Sequence, residues 1–386
     1  MRLLFVLEHY HPFIGGAEVL FKNLCEGLAG RGHEVTVLTS LLPGTIPEEN
    51  INGVAVRRVK LPKKGSRYWF SFVAITQSIK LAGQVDFIHT TTYNGAFPAW
   101  LAALWYKKKC MITVHEIIGD GWTEMMGMNW VAACVHRVLE RVIVSLPFNI
   151  YVSVSAYTAG RLQDYGIRPD KIKVIHNGID YDLFNPTLRT GAKIRKKLQL
   201  GTRFIYMYFG RPGISKGVEF LIKAVPLISA SLPNSKLLLI LSKRPEKGYR
   251  MIQALIKSMA IDQTIVQVEP VPRVELPDYI AAADCVVIPS LSEGFGFSAA
   301  ESCAMGKTVV VSDVASLPEV VSGKYLLVQS KNPQAIADGL ISIYNGEVES
   351  KGIRTFKWED CVTGYEKIYS NFSGAAKKRN DNEFRD

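Results

Sequence analysis

The sequence lacks the long uninterrupted hydrophobic runs of membrane-spanning proteins. Of its 386 residues, 48% are hydrophobic and 21% are charged, and charges break the apolar stretches well before the ~18 residues that a transmembrane helix needs. The apolar run within residues 1–7 is too short for the core of a signal peptide and predicts a first β-strand instead. We therefore expect a globular cytoplasmic protein, long enough to form two domains.

The sequence also lacks paired cysteines and short internal repeats. None of its six cysteines has the C-x-x-C spacing of a zinc or redox site, and most of them stand in apolar runs. We expect buried free thiols in a reducing compartment rather than disulfide bonds or a zinc site. These cysteines are Cys25, Cys110, Cys134, Cys285, Cys303 and Cys361.

Acidic residues are fewer than basic ones, and the formal net charge is +11. The excess is spread over both halves, with a local basic cluster between residues 57 and 67 and a second group at Lys107–Lys109. Basic surface of this kind attracts nucleic acid or anionic lipid, and charge alone does not choose between them. The basic cluster contains no acidic residue and consists of Arg57, Arg58, Lys60, Lys63, Lys64 and Arg67.

Strand-like and helix-like segments alternate along the chain, which is typical of βαβ units and a parallel sheet. The first half begins with a strand at 3–7, a helix at 16–31 and a strand at 35–38, and the second half repeats this rhythm from 203 onward. The predicted fold class is α/β, with two Rossmann-like, doubly wound parallel-sheet domains that face a central cleft. Further strands are predicted at 87–90, 110–114, 150–153, 173–176, 203–209, 236–241, 265–268, 285–289 and 308–311, and further helices at 217–230, 249–259, 298–305 and 358–372.

The boundary between the halves is predicted at the polar, Asn-Gly-bearing stretch near residues 177–186. A last helix-like segment follows the second sheet, and the residues after it are polar. We expect two Rossmann-like domains at 1–176 and 177–357, a last helix at 358–373 and a disordered tail at 374–386.

The most informative segment runs from Glu293 to Glu301, after the strand predicted at 285–289. Its glycines, Gly294 and Gly296, let backbone approach a ligand, and a helix that starts near Ser298 offers free N–H groups to phosphate oxygens. Ser298 and Glu301 also have the spacing of a capping box, which is a structural alternative that can coexist with binding. Glu293 has no such structural explanation, so the segment predicts a ligand site.

A second Gly-rich turn, Gly210–Gly217, lies between a predicted strand and a predicted helix and carries two cations. Arg211 can form paired hydrogen bonds with phosphate oxygens, while Lys216 supplies a point charge, so together they suit a diphosphate. The turn lacks the residue order of an ATPase P-loop. A solvated basic loop is the structural alternative.

These segments form an ordered set with three others: Gly15-Gly16-Ala17-Glu18 after the first strand, His115 after a later strand, and Asn177–Asp180. The set resembles glycosyltransferase family 4 over about residues 1–370. The resemblance implies the GT-B fold and transfer of a sugar from a nucleotide-sugar donor. It also implies an acceptor-side domain at 1–176, a donor domain at 177–357, and a last helix that crosses back to the first domain.

The resemblance implies donor-binding roles for four charged side chains. Arg211 and Lys216 would hold the donor diphosphate and neutralise the charge that grows on it as the sugar leaves. Glu301 would accept hydrogen bonds from the ribose hydroxyls. Glu293 would face the donor sugar and position it rather than form a covalent bond.

The resemblance also implies backbone contacts with the donor. The N–H groups from Gly296 through Phe297 to Ser298 would meet the sugar or the phosphates. Gly15 and Gly16 would let the N-terminal loop approach the phosphate and the reaction centre.

No metal or other cofactor is expected. The resemblance implies that His115 lies beside the donor sugar, although a histidine at a strand end is also a common structural group. His115 does not belong to a zinc motif, because His115-Glu116 lacks the second histidine of H-E-x-x-H. Asp180-Tyr181-Asp182 has the D-x-D spacing of metal-dependent glycosyltransferases of the other large fold, but at a domain join it predicts a solvated turn. Arg211 and Lys216 would then do the electrostatic work of a metal.

The resemblance implies that the anomeric configuration is retained, so that an α-linked donor gives an α-linked product. The donor would be GDP-mannose or a UDP-sugar, and the acceptor a lipid-linked or cell-surface glycan. Aromatic residues beside cations in 68–82, and the Trp- and Met-rich segment 121–148, suit an anionic membrane surface, so we expect peripheral association at the cytoplasmic face. Packing of both segments on the first sheet is the alternative.

Two rival functions remain open from the sequence. A nucleotide-sugar epimerase on the same scaffold would need no acceptor site. Glu293 and Glu301, which are separated by seven residues, favour transfer instead. A nucleic-acid-binding protein would use the basic clusters with interleaved aromatic residues. In that protein the arrangement of Arg211, Lys216, Glu293 and Glu301 would have no use, and we expect no nucleic-acid partner.

Overall fold

The computed structural model describes residues 1–13, 15–62, 66–348 and 350–383, without the side chains of 66–67 and 373–383. Lys63 and Lys64 of the basic cluster therefore lie outside the described residues. None of the helices in these ranges has the length and apolar character that crossing a membrane requires.

Strands and helices alternate through both halves of the chain. The strands are β1 (Arg2–Val6), β2 (Glu34–Ser40), β3 (Glu48–Ile51), β4 (Val54–Val59), β5 (Phe87–Thr91), β6 (Lys109–Val114), β7 (Ile150–Ser153), β8 (Ile172–Val174), β9 (Phe204–Gly210), β10 (Ser235–Leu241), β11 (Ile265–Val268), β12 (Cys285–Ile288), β13 (Thr308–Ser312) and β14 (Tyr325–Val328). The helices are α1 (Gly16–Gly30), α2 (Ser66–Ala82), α3 (Ala96–Trp105), α4 (Trp122–Met126), α5 (Trp130–Ser145), α6 (Ala156–Asp164), α7 (Ala192–Lys197), α8 (Val218–Ser231), α9 (Glu246–Ser258), α10 (Leu276–Ala282), α11 (Phe297–Ala304), α12 (Leu317–Val320), α13 (Pro333–Tyr344) and α14 (Trp358–Glu383).

Two compact units share these elements. Unit 1 comprises Met1–Ile117, Val135–Gly178 and the chain from Phe356 onward, and unit 2 comprises Ile118–Cys134 and Ile179–Thr355. Each unit holds one sheet and its own hydrophobic core.

The sheet of unit 1 has the strand order β3-β4-β2-β1-β5-β6-β7-β8. Every pair is parallel except β3 with β4. Apolar runs such as Leu3–Leu7 are fully buried in it, because helices cover both faces of a parallel sheet. The predicted Rossmann-like fold is confirmed for this unit.

The sheet of unit 2 has the order β11-β10-β9-β12-β13-β14, and all of its pairs are parallel. This is the doubly wound order of a dinucleotide-binding sheet, in which the winding direction reverses between the two central strands. In unit 2 these strands are β9 and β12, so ligand-binding residues are expected in the loops that follow them.

Residues 118–134 differ from the predicted domain boundary, since they pack within unit 2 although the sequence placed them in the first domain. Helix α4 lies against the short 3-10 helix Ile214–Lys216. Glu124 also forms an ion pair with Lys331. These contacts explain why residues 118–134 belong to unit 2, although the residues before them in the chain belong to unit 1.

The β3–β4 hairpin was not predicted, although its turn has a sequence signal. Asn52-Gly53 separates the two strands, and both residues have positive φ, 49° and 85°, as a tight hairpin turn requires. The hairpin also corrects the expectation that the whole basic cluster is exposed. The side chain of Arg58 is fully buried, pairs with Glu49 of β3 and donates to the carbonyl of His11.

The last helix, α14, belongs to unit 1 and packs against α1. Glu366 of α14 accepts from Arg31 at 2.7 Å and contacts the His33 ring at 2.9 Å. The structure extends this helix to Glu383, beyond the predicted end at residue 373. Of the tail predicted to be disordered, residues 384–386 lie outside the described residues.

Candidate active site

The loops that follow β9 and β12 contact each other through their backbones. The N–H of Leu291 donates to the carbonyl of Ser215 at 2.7 Å. Gly217 has φ 61°, and a Cβ atom at this position would lie 1.9 Å from the carbonyl oxygen of Pro289. Only glycine permits this close approach, so the sequence itself brings the two predicted ligand-binding loops of unit 2 together.

Lys216 and Glu293, one from each loop, form an ion pair at this edge. The ammonium of Lys216 lies 2.7 Å from Glu293 Oε1, and Ser290 Oγ donates to the same oxygen at 2.8 Å. Because only 13% of the Glu293 side chain is exposed, its carboxylate has little room to adopt another orientation. Two residues predicted separately thus share one charge-balanced arrangement.

Arg211 is exposed on the same loop as Lys216. A tyrosine that the sequence analysis missed, Tyr208, is close enough to feel the charges of both Arg211 and Glu293. Tyr208 is buried in β9, and its hydroxyl donates to the Arg211 carbonyl at 3.0 Å. Burial raises the pKa of Tyr208 far above its ordinary value, the charge of Glu293 raises it further, and Arg211 opposes the rise. The signal in the sequence that could have identified Tyr208 is a phenol in an apolar strand, two residues before Gly210.

Helix α11 begins at Phe297, and Gly296 is its N-cap residue with φ 93°. Among the described residues, no side chain caps this helix. The N–H groups of Phe297 and Ser298 are in its first turn, where no carbonyl of a preceding turn is present to accept from them. The capping-box interpretation is wrong, because Ser298 lies inside the helix and Glu301 pairs elsewhere. The helix start can therefore offer N–H groups to an anion.

Glu301 is paired with Arg273, a second residue that the sequence analysis missed. Arg273 donates to Glu301 Oε1 at 2.5 Å, and only 3% of the Glu301 side chain is exposed. Burial raises the pKa of Glu301, and the neighbouring Arg273 charge opposes the rise. Arg273 follows β11 at the same sheet edge, and a lone cation in this Pro-rich loop was the available signal.

The D-x-D stretch forms a local turn in which an aspartate oxygen bonds to backbone. Asp180 Oδ1 accepts from the N–H of Leu183 at 2.9 Å. Across the described ranges, no group of three or more His, Cys, Asp or Glu residues is arranged to hold a metal ion.

In unit 1, Gly15 and Gly16 stand at the start of α1. Gly15 is the N-cap residue in extended conformation. A Cβ atom there would lie 2.3 Å from Glu18 Oε2, so the carboxylate of Glu18 folds back over the helix start. Gly16 is exposed, whereas Gly15 is half-buried beneath the Glu18 carboxylate at the N-terminus of this helix.

His115 follows β6 and is held by aromatic packing. Its ring meets Phe21 edge to face at a centroid distance of 5.8 Å. Its Nε2 atom is buried and has no hydrogen-bond partner among the residues that the structure describes. Burial lowers the pKa of His115 to about 4, so the ring is neutral near pH 7.

Comparison of the chain with solved structures identifies its fold class. Sucrose-phosphate synthase from Thermosynechococcus elongatus superimposes with a TM-score of 0.80 at 21% identity, over 97% of this chain and 99% of that one. This likeness identifies the fold as GT-B, with two Rossmann-like domains.

Two family models match the halves of the sequence. The model described as Glycosyltransferase Family 4 matches residues 14–183, and that described as Glycosyl transferases group 1 matches residues 203–346. Together they cover more than half of the chain, which therefore belongs to glycosyltransferase family 4 and is a transferase enzyme.

Similar sequences agree with this assignment. The chain is 29% identical to an uncharacterised glycosyltransferase, MJ1607, of Methanocaldococcus jannaschii, over 88% of each protein. It is 28% identical to a D-inositol 3-phosphate glycosyltransferase of Pseudarthrobacter chlorophenolicus, over 86% of this chain and 82% of that protein.

Proposed function

We propose that the protein is a retaining glycosyltransferase that moves a hexose or N-acetylhexosamine from a nucleotide-diphosphate sugar to an acceptor hydroxyl. The observation that carries this proposal is the Lys216–Glu293 ion pair beside exposed Arg211, where the loops of β9 and β12 meet. Ligands of doubly wound sheets bind at this switch point.

The cations of this edge suit the charge that develops during transfer. As the bond between the anomeric carbon and the diphosphate oxygen breaks, negative charge grows on the diphosphate, and Arg211 and Lys216 stabilise it. The N–H groups at the start of α11 add to this stabilisation. The acceptor oxygen bonds to the anomeric carbon on the face that the diphosphate leaves, and its proton passes to a diphosphate oxygen. In this proposal the protein's own cations replace a metal.

Glu293 positions the donor sugar and does not attack it. Its Oε1 atom already accepts hydrogen bonds from Lys216 and Ser290, which lowers its nucleophilicity and fixes its orientation. A carboxylate held in this way can accept hydrogen bonds from sugar hydroxyls. Retention then follows from same-face attack rather than from a covalent intermediate.

The proposal gives donor-binding roles to three further groups, each described within its own unit. Glu301 accepts from the ribose hydroxyls, and the start of α1 at Gly15 and Gly16 approaches the phosphate. His115 contacts the donor sugar in this proposal. Its Nε2 atom is buried without a hydrogen-bond partner among the described residues, and its ring is neutral, which supports a role as a hydrogen-bonding group rather than as a cation.

An apolar face on unit 1 supports association with a membrane and a lipid-linked acceptor. Tyr68 of α2 and His136 of α5 are joined by a hydrogen bond of 3.0 Å, which places the two helices side by side. The face carries large exposed side chains, and the exposed cations Arg137 and Arg141 stand among them on α5. The apolar face consists of Tyr68, Trp69, Phe72, Val135, Val138, Leu139 and Val142. Apolar side chains interspersed with cations fit an anionic lipid surface.

The transfer reaction is tested with purified protein in EDTA, offered UDP-sugars and GDP-mannose with lipid-linked, glycan and phosphorylated-polyol acceptors. We expect one nucleotide class to serve as donor, and NMR of the product to show the anomeric configuration of the donor. An inverted product would overturn the retaining mechanism. Release of an altered free sugar without an acceptor would instead identify an epimerase.

Membrane association is tested by co-sedimentation with vesicles of phosphatidylcholine, with and without phosphatidylglycerol. Phe72 and Val138 are 62% and 61% exposed, so Phe72→Ser with Val138→Ser should weaken binding to the anionic vesicles. Met251→Ser in unit 2 removes an apolar side chain that is 47% exposed and lies outside the face, and it should leave vesicle binding unchanged. Equal binding by all three proteins, or no binding by wild type, would contradict the proposed surface.

A further inference from the structure

The Arg273–Glu301 pair joins a partly exposed cation to an almost fully buried anion. The Arg273 side chain is 41% exposed, whereas that of Glu301 is 3% exposed. One guanidinium nitrogen of Arg273, Nη2, donates a hydrogen bond to Glu301 Oε1 at 2.5 Å. This leaves Oε2 of the same carboxylate to accept from a ligand hydroxyl.

Arg273 is itself held in place by an aromatic ring. Its guanidinium carbon lies 5.2 Å from the centre of the Phe184 ring, within the range of a cation–π contact. Phe184 is fully buried, and its N–H donates to the carbonyl of Asp180 at 2.9 Å. The turn that contains the D-x-D stretch thus supports the ring beneath Arg273, and the ring supports the partner of Glu301.

Burial favours the neutral carboxylic acid of Glu301, and the Arg273 charge beside it favours the ionised carboxylate. The elements packed against α11 are β12, β13 and α12, which carry Cys285 and Glu319 as titratable groups. Among the described residues, the Arg273 charge is the one that acts on the pKa of Glu301. An ionised carboxylate accepts hydrogen bonds about twice as strongly as a neutral group.

We propose that Arg273 is a positioning residue that sets the ribose selectivity of the donor site, by keeping the Glu301 carboxylate ionised and oriented toward the vicinal hydroxyls. This inference rests on the proposed donor-binding function and deepens it. It assigns selectivity to an arginine that touches Glu301 rather than to Glu301 alone. A site built to hydrogen-bond a hydroxyl discriminates strongly against a ligand that lacks it, because its buried polar atom is left unpaired.

The experiment compares the affinity of UDP and GDP with that of their 2′-deoxy and 3′-deoxy counterparts, by titration calorimetry between about pH 6 and pH 9. We expect wild type to favour the ribonucleotide by roughly tenfold or more, since a hydrogen bond to a charged group is lost in the deoxy ligands. Arg273→Met should lose most of this preference near pH 6 and recover part of it as the pH rises and Glu301 ionises. Arg250→Met removes an arginine paired with Glu246 on α9 of the same unit and should change neither quantity.

Arg273→Lys separates charge from geometry, because lysine keeps the charge without the planar guanidinium. We expect it to keep a flat pH profile with reduced ribose preference, and it also serves as the test if Arg273→Met does not fold. A wild-type ribose preference and pH profile in whichever of these variants folds would overturn the role of Arg273. If wild type binds no nucleotide at any pH, the proposed function itself fails.

Discussion

The sheets of the two units follow the same winding plan but differ in the residues at their carboxyl edges. In unit 2, the loops after β9, β11 and β12 bring two ion pairs to one edge, Lys216 with Glu293 and Arg273 with Glu301. In unit 1, the corresponding edge carries a glycine-rich helix start and a neutral, buried histidine.

Under the proposed function, this difference in charge would suit chemically different parts of a nucleotide sugar. Fixed charges suit the diphosphate and the ribose, which are the charged and strongly polar parts of a nucleotide sugar. The neutral ring of His115 suits the sugar, whose hydroxyls carry no charge. We therefore expect damage to the charged edge of unit 2 to affect nucleotide binding, and damage to His115 in unit 1 to affect mainly turnover.

The largest effect is expected from Lys216→Ala. The substitution removes a cation from the leaving diphosphate and leaves the Glu293 carboxylate unpaired beside it, so transfer activity should fall by roughly 10²–10³-fold. Steady-state assays with saturating acceptor measure this loss. Lys223→Ala, at an exposed lysine on α8 of the same unit, is the matched control and should remain near wild type.

The double variant Lys216→Ala with Glu293→Ala sharpens this test, because it removes the unpaired anion as well. Nucleotide affinity should partly recover relative to Lys216→Ala alone, while activity stays low. If the double variant binds nucleotide no better than the single variant, the two side chains do not act as a pair.

Gly217→Ala should be the most damaging change to the stability of unit 2. The new Cβ atom would meet the Pro289 carbonyl at 1.9 Å, and alanine is strained at the positive φ of this residue. We expect a loss of about 3 kcal/mol in the free energy of unfolding, measured by chemical denaturation.

Gly306→Ala provides the control for this change. Gly306 has a similar φ, 65°, but its added Cβ atom would meet open space. It should lose only about 1 kcal/mol, the cost of the backbone conformation alone. Equal losses in both variants would show that the two loops are not in close contact.

His115→Ala tests the unit 1 half of the comparison. We expect kcat to fall by about tenfold, the equivalent of one hydrogen bond, while the dissociation constant of the nucleoside diphosphate stays unchanged. Calorimetry with the nucleotide and steady-state kinetics with the full donor separate the two quantities. A variant that loses nucleotide affinity along with kcat would remove the distinction between the units.

The smallest expected effect is that of pH on the His115 contribution. Its pKa is lowered to about 4, so the ring gains a proton only when the pH falls through that value. The ratio of wild-type to His115→Ala activity should therefore be constant from about pH 5.5 to 8. A step in this ratio near pH 6.5 would mean that the histidine is not buried as described.

The sequence predicted much of the fold, because strand and helix periodicity are local signals. Each strand predicted from apolar runs is present, as are the helices that follow Gly16, Gly217 and Gly296. The hairpin of β3 and β4 was missed because its outer strand is short and polar. The burial of Arg58 was missed for the same reason, since its acidic partner lies on that strand.

The sequence predicted the motif residues of the candidate site but not the ion pairs between them, because pairing between residues far apart in the chain is not a local property. Lys216 and Glu293 were each expected to act, but their ion pair depends on the order of β9 and β12 in the sheet. Arg273 stands outside any recognised motif and gains its position only when the loop after β11 reaches α11. Glu301, whose spacing to Ser298 suggested a helix cap, is instead the partner of that arginine.

The most direct test of the central claim, that the charged edge of unit 2 is the nucleotide site, is a thermal-unfolding titration with UDP and GDP in EDTA. A ligand at ~100 times its dissociation constant adds roughly 2.7 kcal/mol to the free energy of unfolding. We predict such stabilisation by one of the two nucleotides, and its loss in Arg211→Ala and Glu301→Ala. Stabilisation by neither nucleotide, or equal stabilisation of both variants and wild type, would contradict the claim.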